Sequence, residues 1–154
     1  MDIIDKKILK LLAQNSNATA AEIGSEVRLS IPAVNKRIFK LREKGVINSF
    51  TILTNQKSVK KPITAYILLT IQYGSSVDNL MNCIKGDDDI LECYAVTGDY
   101  DYIIKICAAS MERLEEKLLH LKSQQGVVKS HTMLSLMEHK FAPTVLPDCA
   151  DEEF

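Results

Sequence analysis

Apolar residues recur at three- and four-residue steps through the first 45 positions, and from Ile63 onward β-branched runs alternate with short amphipathic stretches. The charge divides near the same point: residues 1–61 hold twelve Lys/Arg against five Asp/Glu, and residues 62–154 hold seven against fifteen. These observations predict an α+β chain, an N-terminal winged helix-turn-helix followed by a C-terminal ferredoxin-like βαββαβ sandwich. The expected divisions are 1–50 for the helical domain, 51–61 for a linker strand or hinge, 62–147 for the sandwich and 148–154 for an acidic tail.

Met1–Gln14 places Ile4, Ile8, Leu11 and Leu12 on one helix face, thickened by Leu9, with Asp2 positioned to cap. Thr19 is the expected cap of a second, short helix carrying Ala21, Ile23, Gly24 and Val27. Ser30 is the expected cap of a third helix, with Pro32 in the first turn, where a missing N–H costs nothing. There Val34, Ile38 and Leu41 form a core stripe, while Ser30, Ala33, Lys36, Arg37, Lys40 and Arg42 are the candidate DNA contacts. Gly45 stops the helix, and Val46–Leu53 is expected to form a short β wing and an extended exit. A basic recognition helix after a capped turn suits phosphate binding, and a net basic N-terminal unit adds to that reading.

In the second half, Ile63–Tyr73 reads as a strand, and Ser75–Lys85 as a serine-capped helix with Val77, Leu80, Met81 and Ile84 inward. Ile90–Thr97 and Tyr102–Ala109 read as strands joined by the tight turn Gly98-Asp99-Tyr100-Asp101. Ser110 begins a helix with Met111, Leu114, Leu118 and Leu121 inward, and Val127–Glu138 closes the sheet. Four antiparallel strands with two helices on one face leave the other face needing a partner.

Other classes find less support. No run of 18 apolar residues and no charged-then-apolar leader is present, so neither a membrane nor a secretory route is expected. Cys83, Cys93, Cys107 and Cys149 form no CxxC pair, and His120, His131 and His139 show no ligand spacing, so no metal or cofactor is expected. The expected compartment is the cytoplasm, with the nucleoid as the place of action.

Four segments in order carry a family resemblance. Met1-Asp2-Ile3-Ile4-Asp5-Lys6-Lys7-Ile8-Leu9 looks like an "LDxxDxxIL" start, and Leu29-Ser30, Val34, Arg37, Leu41 and Gly45-Val46-Ile47 look like "LSxxxVxxRxxxLxxxGVI". Gly98-Asp99-Tyr100-Asp101 resembles a "GDYD" hairpin, and Gly126-Val127 with Thr132 a "GVxxxxT" strand start. Together they resemble the Lrp/AsnC, or feast/famine, regulators over the chain to about residue 147. The chain departs from that pattern at Asn15-Ser16-Asn17 and at Val59-Lys60-Lys61.

The resemblance implies a transcription regulator on double-stranded DNA, a homodimer that assembles to tetramers or octamers, and an amino acid or related metabolite bound between effector domains. The candidate effector residues are Gly98, Asp99, Tyr100, Asp101, Ser130 and Thr132. Glycine permits a tight turn near a ligand, two carboxylates can accept from an α-ammonium, and Tyr100 offers a ring or a hydroxyl. The plain alternative is a hairpin with Asp at turn-favoured positions. Two other functions compete: an effector-independent architectural DNA protein, and an enzyme resembling tetrapyrrole decarboxylases, to which a basic recognition helix is of little use.

Overall fold

The structure is a computed structural model and describes residues 1–148, so the tail beyond Asp148 and its Cys149 lie outside the described residues. The chain divides into two compact units, Met1–Leu53 joined by residues 140–148, and Thr54–His139.

The first unit holds three helices: α1 (Ile3–Gln14), α2 (Ala20–Val27) and α3 (Ile31–Glu43). Its starts are chemically explicit. Asp2 accepts from the Asp5 amide at 2.8 Å and Asp5 accepts from the Asp2 amide at 3.3 Å, a reciprocal cap on α1. Thr19 and Glu22 repeat the arrangement on α2. Ser30 has the extended cap backbone, but its hydroxyl bonds no helix amide; Pro32 in the first turn removes one of the orphan donors instead. Ile8, Leu12, Ile23, Val34 and Leu41 form the buried core. The turn between α2 and α3 is tight. A Cβ on Gly24 would stand 2.5 Å from the Leu29 carbonyl oxygen, so only glycine fits there. The Lys6 ammonium donates to the Asp148 carbonyl at 2.8 Å, which ties the returning chain to α1.

The expected wing is not formed: among the described residues no strand lies between α3 and the first strand of the sheet. The end of α3 explains the change of direction. Gly45 takes φ +66°, its amide donates to the Arg42 carbonyl, and the Val46 amide donates to the Leu41 carbonyl at 2.9 Å. The chain beyond has no neighbouring strand to bond, and Ile52 is 82 % exposed. The expected linker strand is likewise replaced in part by a compact turn, in which the Val59 amide donates to Asn55 and the Lys61 amide to Gln56.

The second unit contains β1 (Ile63–Ile71), α4 (Asp78–Lys85), β2 (Ile90–Ala95), β3 (Tyr102–Ala108), α5 (Met111–Lys122) and β4 (Val127–Leu134). The sheet order is β2-β3-β1-β4, and every neighbouring pair is antiparallel. This is the expected ferredoxin-like sandwich. Ala65, Ile67 and Leu69 of β1 and Ile104, Ile106 and Ala108 of β3 cluster with Leu80, Ile84, Leu114 and Leu121 of the helices. The alternate residues Tyr66, Leu68 and Ile103 face the other way and are only partly covered; Tyr94 and Met133 are exposed.

α4 begins three residues later than expected. Ser75 does not cap it; the Ser76 hydroxyl instead donates to the Asp78 carboxylate and accepts from the Asp78 amide. Ser110 does cap α5, accepting from the Arg113 amide at 3.3 Å. β4 ends at Leu134 rather than Glu138, because its partner β1 begins at Ile63 and the last bond runs from the Ser135 amide to Thr64.

Candidate DNA interface and effector hairpin

Helical periodicity sorts the residues of α3. Val34 and Leu41 are buried, Ala33, Arg37 and Ile38 are half-buried, and Ser30, Lys36, Lys40 and Arg42 are exposed. The structure therefore brings Lys36, Lys40 and Arg42 to the surface and turns Arg37 inward. The Arg37 guanidinium donates to Asp2 at 2.6 Å and to Asp5 at 2.7 Å, the same two carboxylates that cap α1. It lines a cleft of about 470 Å³ between α1 and α3, together with Ala33, Lys36 and Lys40. The Asp5 amide and then Arg37 hold the Asp2 carboxyl below its usual range. Arg37 is thus a brace between α1 and α3. Lys36, Lys40 and Arg42 have no ion-pair partner among the described residues. These three positions present uncompensated positive charge, and the last two also lie in the final turn of α3 where cations suit the helix dipole.

In the second unit, Gly98 takes φ +116° at the start of the turn. The Val96 amide donates to the Asp101 carbonyl and the Asp101 amide to the Leu69 carbonyl, both at 2.9 Å. The Asp101 carboxylate accepts the Ile71 amide at 2.7 Å, where the register of β1 with β4 shifts between Thr70 and Ile71. That carboxylate completes the irregular end of a strand. Asp99 stays exposed, with its carbonyl facing the Thr70 hydroxyl.

Pairing resolves the candidates on β4. Thr132 lies opposite Ile67 and Ser130 opposite Leu69, so both share the helix-covered face. His131 and Lys129 share the open face. The His131 ring lies 6.2 Å from that of Tyr100, and the Lys129 ammonium sits 5.2 Å from the Tyr100 ring centre. The structure groups Tyr100 with Lys129 and His131, and sends Ser130 and Thr132 to the opposite side. Lys129 and His131 are not singled out by the sequence reading, although the two-residue alternation of a strand signals that they differ in face from Ser130 and Thr132.

Among the described residues no group of His, Cys, Asp and Glu could hold a metal ion. Acidic residues Asp87 and Asp89 are instead paired by Lys117, and Asp89 also by Lys61.

Comparison with known proteins agrees with both units. Residues 1–48 match the winged helix-turn-helix DNA-binding family, and residues 64–145 match the Lrp/AsnC ligand binding domain. The chain is 36% identical over 140 residues to the HTH-type transcriptional regulator FL11 of Pyrococcus abyssi, covering 91% of this chain and 92% of that one. It is 32% identical over 136 residues to the HTH-type transcriptional regulator Rv2324 of Mycobacterium tuberculosis, covering 88% and 92%. The crystal structure of the Neisseria meningitidis transcriptional regulator NMB0573, in complex with L-methionine, superposes with a TM-score of 0.90 at 25% identity, over 94% of this chain and 96% of that one. Bacillus subtilis LrpC superposes with a TM-score of 0.82 at 26% identity, over 91% and 97%.

Proposed function

We propose that this chain, which belongs to the Lrp/AsnC family of transcriptional regulators, grips DNA through Lys36, Lys40 and Arg42 of α3 while Arg37 braces that helix. The observation that carries the reading is the division of α3 into one cation paired with carboxylates and three left unpaired. Ser30 and Ala33 lie at the N-terminal end of the helix, where base edges are met in helix-turn-helix complexes. The chain acts as a regulator rather than an enzyme, in the cytoplasm and on the nucleoid. No helix among the described residues is long and apolar enough to cross a membrane.

The DNA-binding form is a homo-oligomer built on a dimer. The partly covered Tyr66, Leu68 and Ile103, with exposed Tyr94 and Met133, make an apolar sheet face suited to a second copy. Two half-sites then mirror the protein's two-fold symmetry. Sedimentation at tens of micromolar should find no monomer; a monomer refutes the assembly.

An amino acid is the proposed effector, bound near Gly98, Asp99 and Tyr100 with Lys129 and His131 beside them. Support comes from the exposed Asp99 carboxylate, a cation beside an aromatic ring, and the L-methionine complex of the Neisseria meningitidis relative. The Lys129 ammonium suits an α-carboxylate and Asp99 an α-ammonium. The DNA-binding unit is Met1–Leu53 with residues 140–148, and the effector unit is Thr54–His139. One observation favours an effector-independent, architectural protein: Asp101 is committed to the backbone, as a plain hairpin turn requires.

A thermal-shift series over the twenty amino acids separates the two. A ligand at 100 times its Kd adds about 2.7 kcal/mol of stability. One amino acid raising Tm in the parent and not in Lys129→Ala supports the effector site; no shift with any supports the architectural reading.

A further inference from the structure

α3 carries a second feature that charge does not explain. Ile31, Asn35 and Phe39 succeed one another at four-residue steps and so form a single stripe along the helix. The stripe looks outward. Ile31 is 50% and Phe39 61% exposed, while Val34 and Leu41 on the other side are buried. The Asn35 amide is exposed and has no hydrogen-bond partner among the described residues. Two large apolar side chains flanking an unspent amide contribute nothing to the core of the unit. Lys36 and Lys40 run along one side of the stripe and Arg42 follows it, so the surface that holds it is cationic.

We propose that Asn35 and Phe39 read bases in this protein, with Asn35 taking an adenine and Phe39 the methyl group of a thymine in the major groove. The proposal rests on the reading that α3 enters DNA. The chemistry is specific. A carboxamide can accept from the adenine N6 amino group through Oδ1 and donate to N7 through Nδ2, a pair of bonds no other base offers in that order. An exposed phenyl ring gains by covering the apolar C5 methyl, the one hydrocarbon group on the floor of the major groove. Lys36, Lys40 and Arg42 meet phosphates, which position the helix and carry no sequence information. Asn35 lies in the first half of α3, the part that reaches base edges when such a helix docks. The cationic surroundings favour nucleic acid over a protein partner as the occupant of the stripe: residues 1–61 hold twelve Lys/Arg against five Asp/Glu.

The test is affinity selection from random duplex DNA with the full-length protein, run on the parent, Asn35→Ala, Phe39→Ala and the double variant Lys36→Ala/Lys40→Ala, with circular dichroism on each. The parent should enrich an adenine at one fixed position of each half-site, with a thymine near it. Asn35→Ala should lose discrimination at that adenine by about 5- to 150-fold, the range for one good bidentate pair, and keep the other preferences. Phe39→Ala should lose the thymine preference alone. The double lysine variant should bind every sequence more weakly without changing the preferences. Unchanged preferences in Asn35→Ala and Phe39→Ala overturn the proposal, as does a shift in oligomeric state as their only effect. If they are unchanged and the lysine variant still binds less tightly, base readout lies elsewhere on a helix that does enter DNA. If the lysine variant also binds like the parent, the assignment of α3 itself fails.

Discussion

Lys36, Lys40 and Arg42 of the helical unit are exposed and unpaired among the described residues, while four cations of the sheet unit, Lys61, Lys105, Arg113 and Lys117, are held by carboxylate neighbours. Lys117 bonds Asp87 and Asp89, Lys61 bonds Asp89, Lys105 bonds Glu92 at 3.1 Å, and Arg113 bonds Glu116 at 2.7 Å. The two units therefore use one chemistry for opposite ends. A surface that binds a polyanion must leave its cations uncompensated, because counterion release on binding requires charge that the fold has not already neutralised. A surface that must stay off the polyanion does well to be acidic and self-paired. The same contrast operates within α3, where Arg37 is spent and Lys36 is not. A basic residue on a recognition helix is a DNA contact only after its carboxylate neighbours have been counted.

The largest expected effect on the helical unit comes from its turn. Gly24→Ala forces a methyl group against the Leu29 carbonyl oxygen and should cost about 1–3 kcal/mol, toward the upper end because the clash is with backbone. Chemical denaturation followed by helix signal measures it. A variant as stable as the parent would show that the turn can open without cost, and would weaken the claim that it fixes α3.

Next comes the hairpin. Asp101→Ala removes the acceptor of the Ile71 amide and should cost about 1 kcal/mol, while Asp101→Asn, which keeps an oxygen, should cost less. If the carboxylate is structural, Asp101→Asn should bind an effector as the parent does, measured by calorimetry. Loss of binding in a variant of parental stability would return Asp101 to the ligand.

The smallest effect is that of pH. Lys117 first and Lys61 second hold the Asp89 carboxyl below its usual range, and the Asp5 amide and Arg37 do the same for Asp2. A carboxyl with a lowered folded pKa contributes stability that is fully present above its unfolded pKa and is lost as pH falls through the folded value. Both contributions should therefore fade below about pH 4, in the helical and the sheet unit alike. Each contribution should be small, because solvent screens pairs that are partly exposed. Acid titration of Lys117→Met and Arg37→Met should show flatter profiles below that pH; profiles parallel to the parent would remove the pairs from the account.

Much of this was legible in the sequence, and the residues say why. Asp2, Thr19 and Ser110 are read as caps because capping is local, and Ile8, Ile23 and Val34 as core because the helical period is. The apolar, β-branched runs at Ile63 and Tyr102 locate β1 and β3 for the same reason. The sequence lists Arg37 among the DNA-contact candidates and does not show its pairing, since its partners lie 35 and 32 residues away and no local pattern joins them. Ser130 and Thr132 were chosen for their hydroxyls, and only the register against Ile67 and Leu69 shows which face they share. The wing was expected from alternation alone, but a strand also needs a neighbour, and among the described residues Val46–Leu53 has none.

The central claim is that Lys36 is spent on DNA and Arg37 on the fold, and the salt dependence of DNA binding tests it most directly. Each phosphate contact contributes about −0.9 to the slope of log K against log salt. For Lys36→Ala the slope should become shallower by about 0.9 with Tm unchanged, and for Arg37→Ala Tm should fall while the slope stays that of the parent. A shallower slope in Arg37→Ala at parental stability, with no change in Lys36→Ala, would contradict the account.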